Sequence, residues 1–406
     1  MENDNNVNGN LNDNSVLDAL VLTREQWRSG IVKAVIFTLI AVIIFFVPVT
    51  VRGSTDVTFG IIYKNIKAGL GLAGLWMGGI IIMGNGLASV YGKYFCKNKD
   101  SAVYRYYQED SVLHPLFYLL GSIFALILML HYTFPSFEGP AAIVSPDIGE
   151  TVYSIATDVA WIIPVSAVFM PFLLNYGIVD FIGSLMEPLM RPVFKIPGRS
   201  AVNAIASFVS SASVGVLITS KLYQKGIYTK KEAALIATGF SAVSVGFAYK
   251  VIETADLSEY FLPIYFIALL VTLIVSFFMA RIPPLSRKAS VFADGRQQTK
   301  EEILAERVPA RAVLKTGASR AVKKAATAPN LLKEIRSSLL DSCYVLPKVI
   351  SLLTAVGIIA MLIATYTPVF NWIGKLFEPL LVLLQVPNAA EIAPSLPVGI
   401  AEMFLP

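Results

Sequence analysis

Charge is scarce in this chain. Only 15% of its 406 residues are Asp, Glu, Lys or Arg, against about 25% in soluble globular domains. Cysteine and histidine are rarer still, with two of each. Cys96 and Cys343 have neither metal-type nor CxxC spacing, and His114 and His131 stand alone near helix ends. Those scarcities leave no metal centre and no redox pair to build. No Walker-A loop is present, which argues against an ATP-driven pump, and no Gly-x-Ser-x-Gly elbow marks a hydrolase. The small-residue run from Gly69 to Gly79 follows no strand, so it reads as a helix-packing face rather than a dinucleotide site. No cofactor is expected, and no constellation supports an enzyme.

Apolar sequence is what the chain has instead. It is 55% hydrophobic with a mean hydropathy of +0.64, the composition of a polytopic membrane protein. Runs of roughly 20 apolar residues, each enough to span a bilayer, lie at about 30–51, 66–91, 114–134, 152–178, 232–252, 259–281 and 341–368. A polar leader rich in Asn and Asp, residues 1–22, precedes them and is expected to be disordered. Thr23-Arg-Glu-Gln26 then has the pattern of a capping box at a helix start.

Basic residues set the orientation. Residues 281–340 hold thirteen Lys or Arg against five Asp or Glu, a net +8, which places this stretch in the cytoplasm as a solvated linker. The loops at 135–151 and 253–258 contain acids and no Lys or Arg, so they fall outside. The loop at 92–113, with Lys93, Lys97, Lys99 and Arg105, falls inside. Arg52, Lys64 and Lys67 fit this scheme poorly.

Under that topology Arg191, Lys195 and Arg199 are cytoplasmic, and so are Lys221, Lys225, Lys230 and Lys231. The segment between, about 200–222, therefore enters and leaves on one side. Its centre, Ser207-Phe-Val-Ser210-Ser211-Ala-Ser213-Val-Gly215, is polar and small. A re-entrant hairpin turning at 210–215 accounts for both features; the alternative is one Ser/Gly-rich spanning helix at a tight contact.

One unusual word occurs twice. Phe181-Ile-Gly-Ser-Leu-Met-Glu-Pro-Leu189 returns as Trp372-Ile-Gly-Lys-Leu-Phe-Glu-Pro-Leu380. Each copy leads into Ile196-Pro197 or Val386-Pro387. The first is followed by basic residues, whereas 381–406 has none. Opposite charge flanks imply opposite orientation, the mark of an inverted-topology repeat in a secondary transporter. Asn388 to Pro406 then reads as the start of a second hairpin, entering from outside.

The expected organisation is therefore a leader at 1–22, N-terminal transmembrane helices at 23–151 and a first repeat at 152–281. A basic cytoplasmic loop at 282–340 separates it from a second repeat at 341–406, whose hairpin begins near 389 and which ends as a truncated copy would. Broken helices free backbone groups and helix-end dipoles for a polar ligand. The candidate substrate residues are Asn203, Ser207, Ser210, Ser211 and Ser213 in hairpin one, and Ser395 and Glu402 in hairpin two. Thr238, Ser241 and Ser244 join them on adjoining parts of one face of the helix at 232–252. For these hydroxyls the competing role is helix packing. Glu187 and Glu378 either bind a coupling cation or substrate, or act structurally by capping a helix or pairing with Arg191 or Arg199.

Residues from about Asp158 to Ile252 resemble the nucleoside-recognition, or Gate, domain, and the whole chain resembles the YjiH-type bacterial membrane proteins. The likeness is carried by Met186-Glu-Pro188, Ile196-Pro-Gly-Arg-Ser-Ala-Val-Asn203, Ser210-Ser-Ala-Ser-Val-Gly215 and the run from Tyr228 to Gly246. That last run is similar to concentrative nucleoside transporters just after their first hairpin, and similar domains occur in ferrous-iron transporters and spore-maturation membrane proteins. The resemblance implies an all-α fold with an inverted repeat and two re-entrant hairpins. The Gly-Gln-Thr-Glu signature of nucleoside transporters is replaced here by Ser210-Ser-Ala-Ser, so the fold carries over and the nucleoside does not. The expectation is a bacterial inner-membrane transporter of a small polar solute, nucleoside-like or a small organic anion, driven by an ion gradient. Its partners would be the bilayer and that solute, with a homo-oligomer or a second Gate-domain protein as further partners, and no nucleic acid. A scaffold, or one half of a hetero-oligomer, is the alternative.

Overall fold

Inside a bilayer the backbone has no water to satisfy its N–H and C=O groups, so spanning segments must be helical. Among the described residues, six helices are long and apolar enough to cross: Arg24–Phe46, Thr58–Phe95, His114–Thr133, Pro146–Leu174, Ser258–Met279 and Leu331–Tyr366. They account for six of the seven apolar runs. The computed structural model describes residues 14–51, 54–134, 136–209, 212–240, 244–299, 303 and 313–401.

Local sequence explains where these helices begin. Thr23 accepts a hydrogen bond from the Gln26 N–H, and the Gln26 side chain accepts one from the Thr23 N–H, a complete capping box. Thr229 and Glu232 repeat the arrangement at the helix Lys230–Gly239.

The seventh run, 232–252, is not one helix. Lys230–Gly239 stops, and a second helix, Val245–Thr254, starts with Ser244 as its N-cap, accepting from the Phe247 N–H at 3.3 Å. Gly239, Ser241, Ser244 and Gly246 fall within eight residues. Serine competes for helix backbone groups and glycine weakens helix interiors, so length and apolarity alone overstate this run.

The described chain divides into two compact units, residues 1–61 with 166–339, and residues 62–165 with 340–406. In the first, the sequence reading needs three corrections. A helix, Asn14–Ala19, ends the leader read as disordered; Leu17 is buried and Asp18 pairs with Arg320. An antiparallel hairpin, Pro48–Val51 with Ser54–Val57, departs from an all-α fold. Asp56 anchors it by accepting from the Tyr249 hydroxyl at 2.6 Å. The basic loop is also no simple solvated linker. Val313–Thr327 is a helix whose Ala321, Ala325, Arg320 and Lys324 are buried. Its apolar and small residues recur at helical spacing, which lets it pack against Arg24–Phe46 and Ile178–Leu189.

The second unit packs as the small-residue run predicts. A Cβ at Gly78 would lie 2.8 Å from the Thr157 methyl, and one at Gly79 2.1 Å from the Met129 sulfur. Lys67, awkward for the topology, forms an ion pair with the buried Asp158 at 2.7 Å. Short helices Val369–Gly374, Glu378–Leu383, Ala389–Ile392 and Ser395–Ala401 follow the last span.

Gly177 tests this packing. It has φ +93°, and a Cβ there would lie 2.4 Å from the Ala321 carbonyl oxygen. Gly177→Ala combines left-handed strain with overpacking and should destabilise the protein by about 2–4 kcal/mol. Thermal unfolding in detergent checks this; an unchanged midpoint would refute the close approach.

Candidate functional site

The site is built in the first unit from one folded-back segment and one interrupted helix. Ser200–Val209 and Ala212–Gln224 are separate helices. The Asn203 amide donates to the Thr219 hydroxyl at 2.8 Å, sixteen residues away, and both are buried. A straight helix would put those residues about 24 Å apart, so the two arms fold back on each other. Asn203 thus ties the base of the pair, a structural role alongside any contact with solute.

The ends of interrupted helices expose carbonyl groups that need donors. Both interruptions obtain one from the span Ser258–Met279. The Tyr265 hydroxyl donates to the Phe208 carbonyl at 3.2 Å, at the end of the first arm. The Ser276 hydroxyl lies 2.5 Å from the Gly239 carbonyl, at the end of the first half-helix, and also reaches the Thr272 carbonyl. Eleven residues separate the two donors, about 16 Å along the helix, so they meet the interruptions at different levels. The rings of Phe208 and Phe240 bridge that interval, with centroids 6.1 Å apart. Both rings belong to a buried apolar cluster with Met190, Phe194, Ile196 and Leu235, so close packing joins the two levels of interrupted backbone.

Charged groups in this unit are held in pairs. Glu187 is 4% exposed, and it meets Arg320, a partner that the sequence did not point to. Arg320 donates to Glu187 at 2.5 Å, to the Ser184 hydroxyl at 3.1 Å and, through two nitrogens, to both Asp18 oxygens at 2.8 and 2.6 Å. Arg191 pairs with Glu232 of the second capping box, which also accepts from Gln298. Glu378 is half-buried in the first turn of its helix, where a carboxylate opposes the positive end of the dipole.

The other expected residues scatter. Thr238 is exposed and donates to the Ala234 carbonyl of its own helix, and Ser244 is the N-cap described above. They do not share one helical face, because the helix breaks between them. Ser395 is half-buried and donates to the Ile392 carbonyl. Ser207 and Ser213 lie in the two arms, while Ser210, Ser211, Ser241 and Glu402 lie outside the described residues.

Besides Arg320, four side chains of this region escaped the sequence reading. Tyr265, Ser276 and Thr219 carry no local signal, since their partners are 16 to 57 residues away. Lys250 did carry one, as a lone cation in an apolar run. It is 3% exposed and pairs with Glu253.

Comparison with known proteins agrees with this region. The Gate family model, described as nucleoside recognition, matches residues 156–257. An uncharacterized protein of Alkalihalophilus pseudofirmus is 37% identical over 294 residues, covering 70% of this chain and 60% of that protein. The sporulation integral membrane protein YlbJ of Bacillus subtilis is 34% identical over 84 residues, 18% of this chain and 21% of its own length. The chain thus spans about three-fifths of the first relative and a fifth of the second. No solved structure matches. The chain is a membrane protein carrying a Gate nucleoside-recognition domain.

The Asn203–Thr219 bond should appear as coupling in a double-mutant cycle. Asn203→Ala and Thr219→Val are expected to show an interaction energy of roughly 0.5–3 kcal/mol in unfolding measurements. Strict additivity would mean the arms are not joined there.

Proposed function

We propose that the chain is a secondary transporter of a small polar solute, nucleoside-like or a small organic anion, driven by an ion gradient across a bacterial inner membrane. The observation that carries this reading is the broken helix at 230–254 beside the folded-back arms at 200–224. Interrupted helices around a polar route are the architecture by which transporters hold solutes away from lipid. YlbJ is named an integral membrane protein of sporulation, which fits a membrane role and assigns no solute.

The folded-back arms act as a re-entrant hairpin, entering from the cytoplasm with the N-terminus and the 282–340 loop on that side. Residues after Glu378 begin the second hairpin in an inverted repeat. Several local features support repetition beyond the shared word. Lys195 and Gln385 both adopt left-handed backbone, φ +59° and +56°, immediately before Ile196-Pro197 and Val386-Pro387. A Cβ on Gly183 would meet Val202, and one on Gly374 would meet Pro394, 19 and 20 residues further on. Equal placement of a strained residue and of a close glycine crossing is hard to obtain without common geometry. The YjiH-type and nucleoside-transporter likenesses point the same way.

Flux measurements in proteoliposomes test the function. Labelled nucleosides and small carboxylates are offered under sodium or proton gradients, with Ser210→Ala/Ser213→Ala as the site variant. Gradient-dependent uptake abolished in the variant is expected. Absence of flux for every solute, in folded and oriented protein, would contradict transport and favour a scaffold.

A further inference from the structure

The loop helix Val313–Thr327 does something that the repeated word alone does not require. In the first copy, Asp180, Ser184 and Glu187 are spaced i, i+4, i+7 and so share one helix face. Arg320 is seated on that face with only 7% of its side chain exposed. The seat depends on small residues. A Cβ at Gly317 would lie 3.2 Å from that of Ser184, one at Gly30 would lie 2.6 Å from the Val322 carbonyl oxygen, and Gly177 abuts Ala321 as described above.

The second copy has Asn371, Lys375 and Glu378 at the corresponding positions. There, the residue matching Ser184 is itself a cation, three residues before the glutamate. A lysine at 184 would occupy the space that Gly317 and Arg320 fill. The first copy's glutamate is met by an arginine brought in from the polar loop 133 residues on, whereas the second copy carries a lysine within its own word. Asp18, at the end of the leader, clasps the same guanidinium from its outer side, where its own side chain is 47% exposed.

We propose that Val313–Thr327 is a cytoplasmic lock on the first repeat, pinned by Arg320 between Glu187 and Asp18, and that it opens in the folded protein to free the Asp180/Ser184/Glu187 face. The cytoplasmic placement rests on the transport reading above; the locking contact does not. Opening exposes two buried acids and a serine on the helix that leads into the hairpin. It thereby couples the cytoplasmic loop to the hairpin's position. Asp18 makes the polar leader part of the same device. A lysine at 184 should mimic the second copy and expel the loop helix.

Cysteine accessibility tests this without any substrate. In the full chain with Cys96→Ser and Cys343→Ser, a single Ala325→Cys reports on the loop helix, since Ala325 is fully buried. A membrane-impermeant maleimide applied to the cytoplasmic face should label the parent slowly but completely, at temperatures where helicity is unchanged. Arg320→Ala should label about 10²–10³-fold faster, the factor expected for losing one partner of a buried pair, and Ser184→Lys, which crowds and repels the guanidinium, should also label faster than the parent. Arg320→Lys, which retains charge without the forked contact, should fall between and remains informative if a stronger variant fails to fold. Equal labelling rates in the parent and the variants would overturn the lock, as would a parent that never labels short of unfolding. Failure of flux with these labelling rates intact would contradict transport alone.

Discussion

A polar backbone in an apolar surrounding must find its hydrogen bonds within the protein, and this constraint organises the first unit. Wherever a helix stops short of crossing, the carbonyls it leaves behind require donors. The chain breaks twice, near 210 and near 240, and one continuous span supplies hydroxyls to both ends through Tyr265 and Ser276. Those two donors permit the interruptions to persist, and the interruptions give the site its polarity. Asn203 and Thr219 then fix how the first broken segment folds back.

Charge is handled by the same economy. A buried carboxylate is strongly unfavourable unless it is paired, and the buried Glu187, Glu232 and Asp158 and the half-buried Glu253 each meet a basic side chain. Glu232 is both an N-cap partner and an ion-pair acceptor, so the start of the broken helix is tied to Arg191 just after the first Glu-Pro word. Pro188 cannot donate to the Ser184 carbonyl, and the helix loosens into a wider turn at Met190–Phe194 immediately after it. In the first copy the word thus marks a place where a helix gives way beside a neutralised charge.

Much of this was legible in sequence because it is local. The capping boxes at Thr23 and Thr229, the six spans and the packing role of Gly78 and Gly79 follow from patterns within a few residues. The repeated word was visible for the same reason. The break between the helices Lys230–Gly239 and Val245–Thr254 was hidden because apolar length outweighs a handful of small residues in such a reading, although Gly239, Ser244 and Gly246 marked it. Arg320 was hidden for a different reason. In a segment holding thirteen basic residues nothing singles out the one that is buried, and its partners Glu187 and Asp18 lie 133 and 302 residues away. The leader helix was hidden with it, since Asp18 is ordered by that same arginine.

The central claim is that 200–224 turns back inside the membrane rather than crossing it. Its direct test is the sidedness of Arg199 and Lys225, both exposed residues that flank the two arms. Single cysteines at these positions, in protein lacking Cys96 and Cys343, would be alkylated by an impermeant reagent in inside-out and right-side-out vesicles. The account predicts that both react only in inside-out vesicles. Reaction of the two cysteines from opposite sides would make the segment a spanning helix and would contradict the re-entrant hairpin on which the transport mechanism rests.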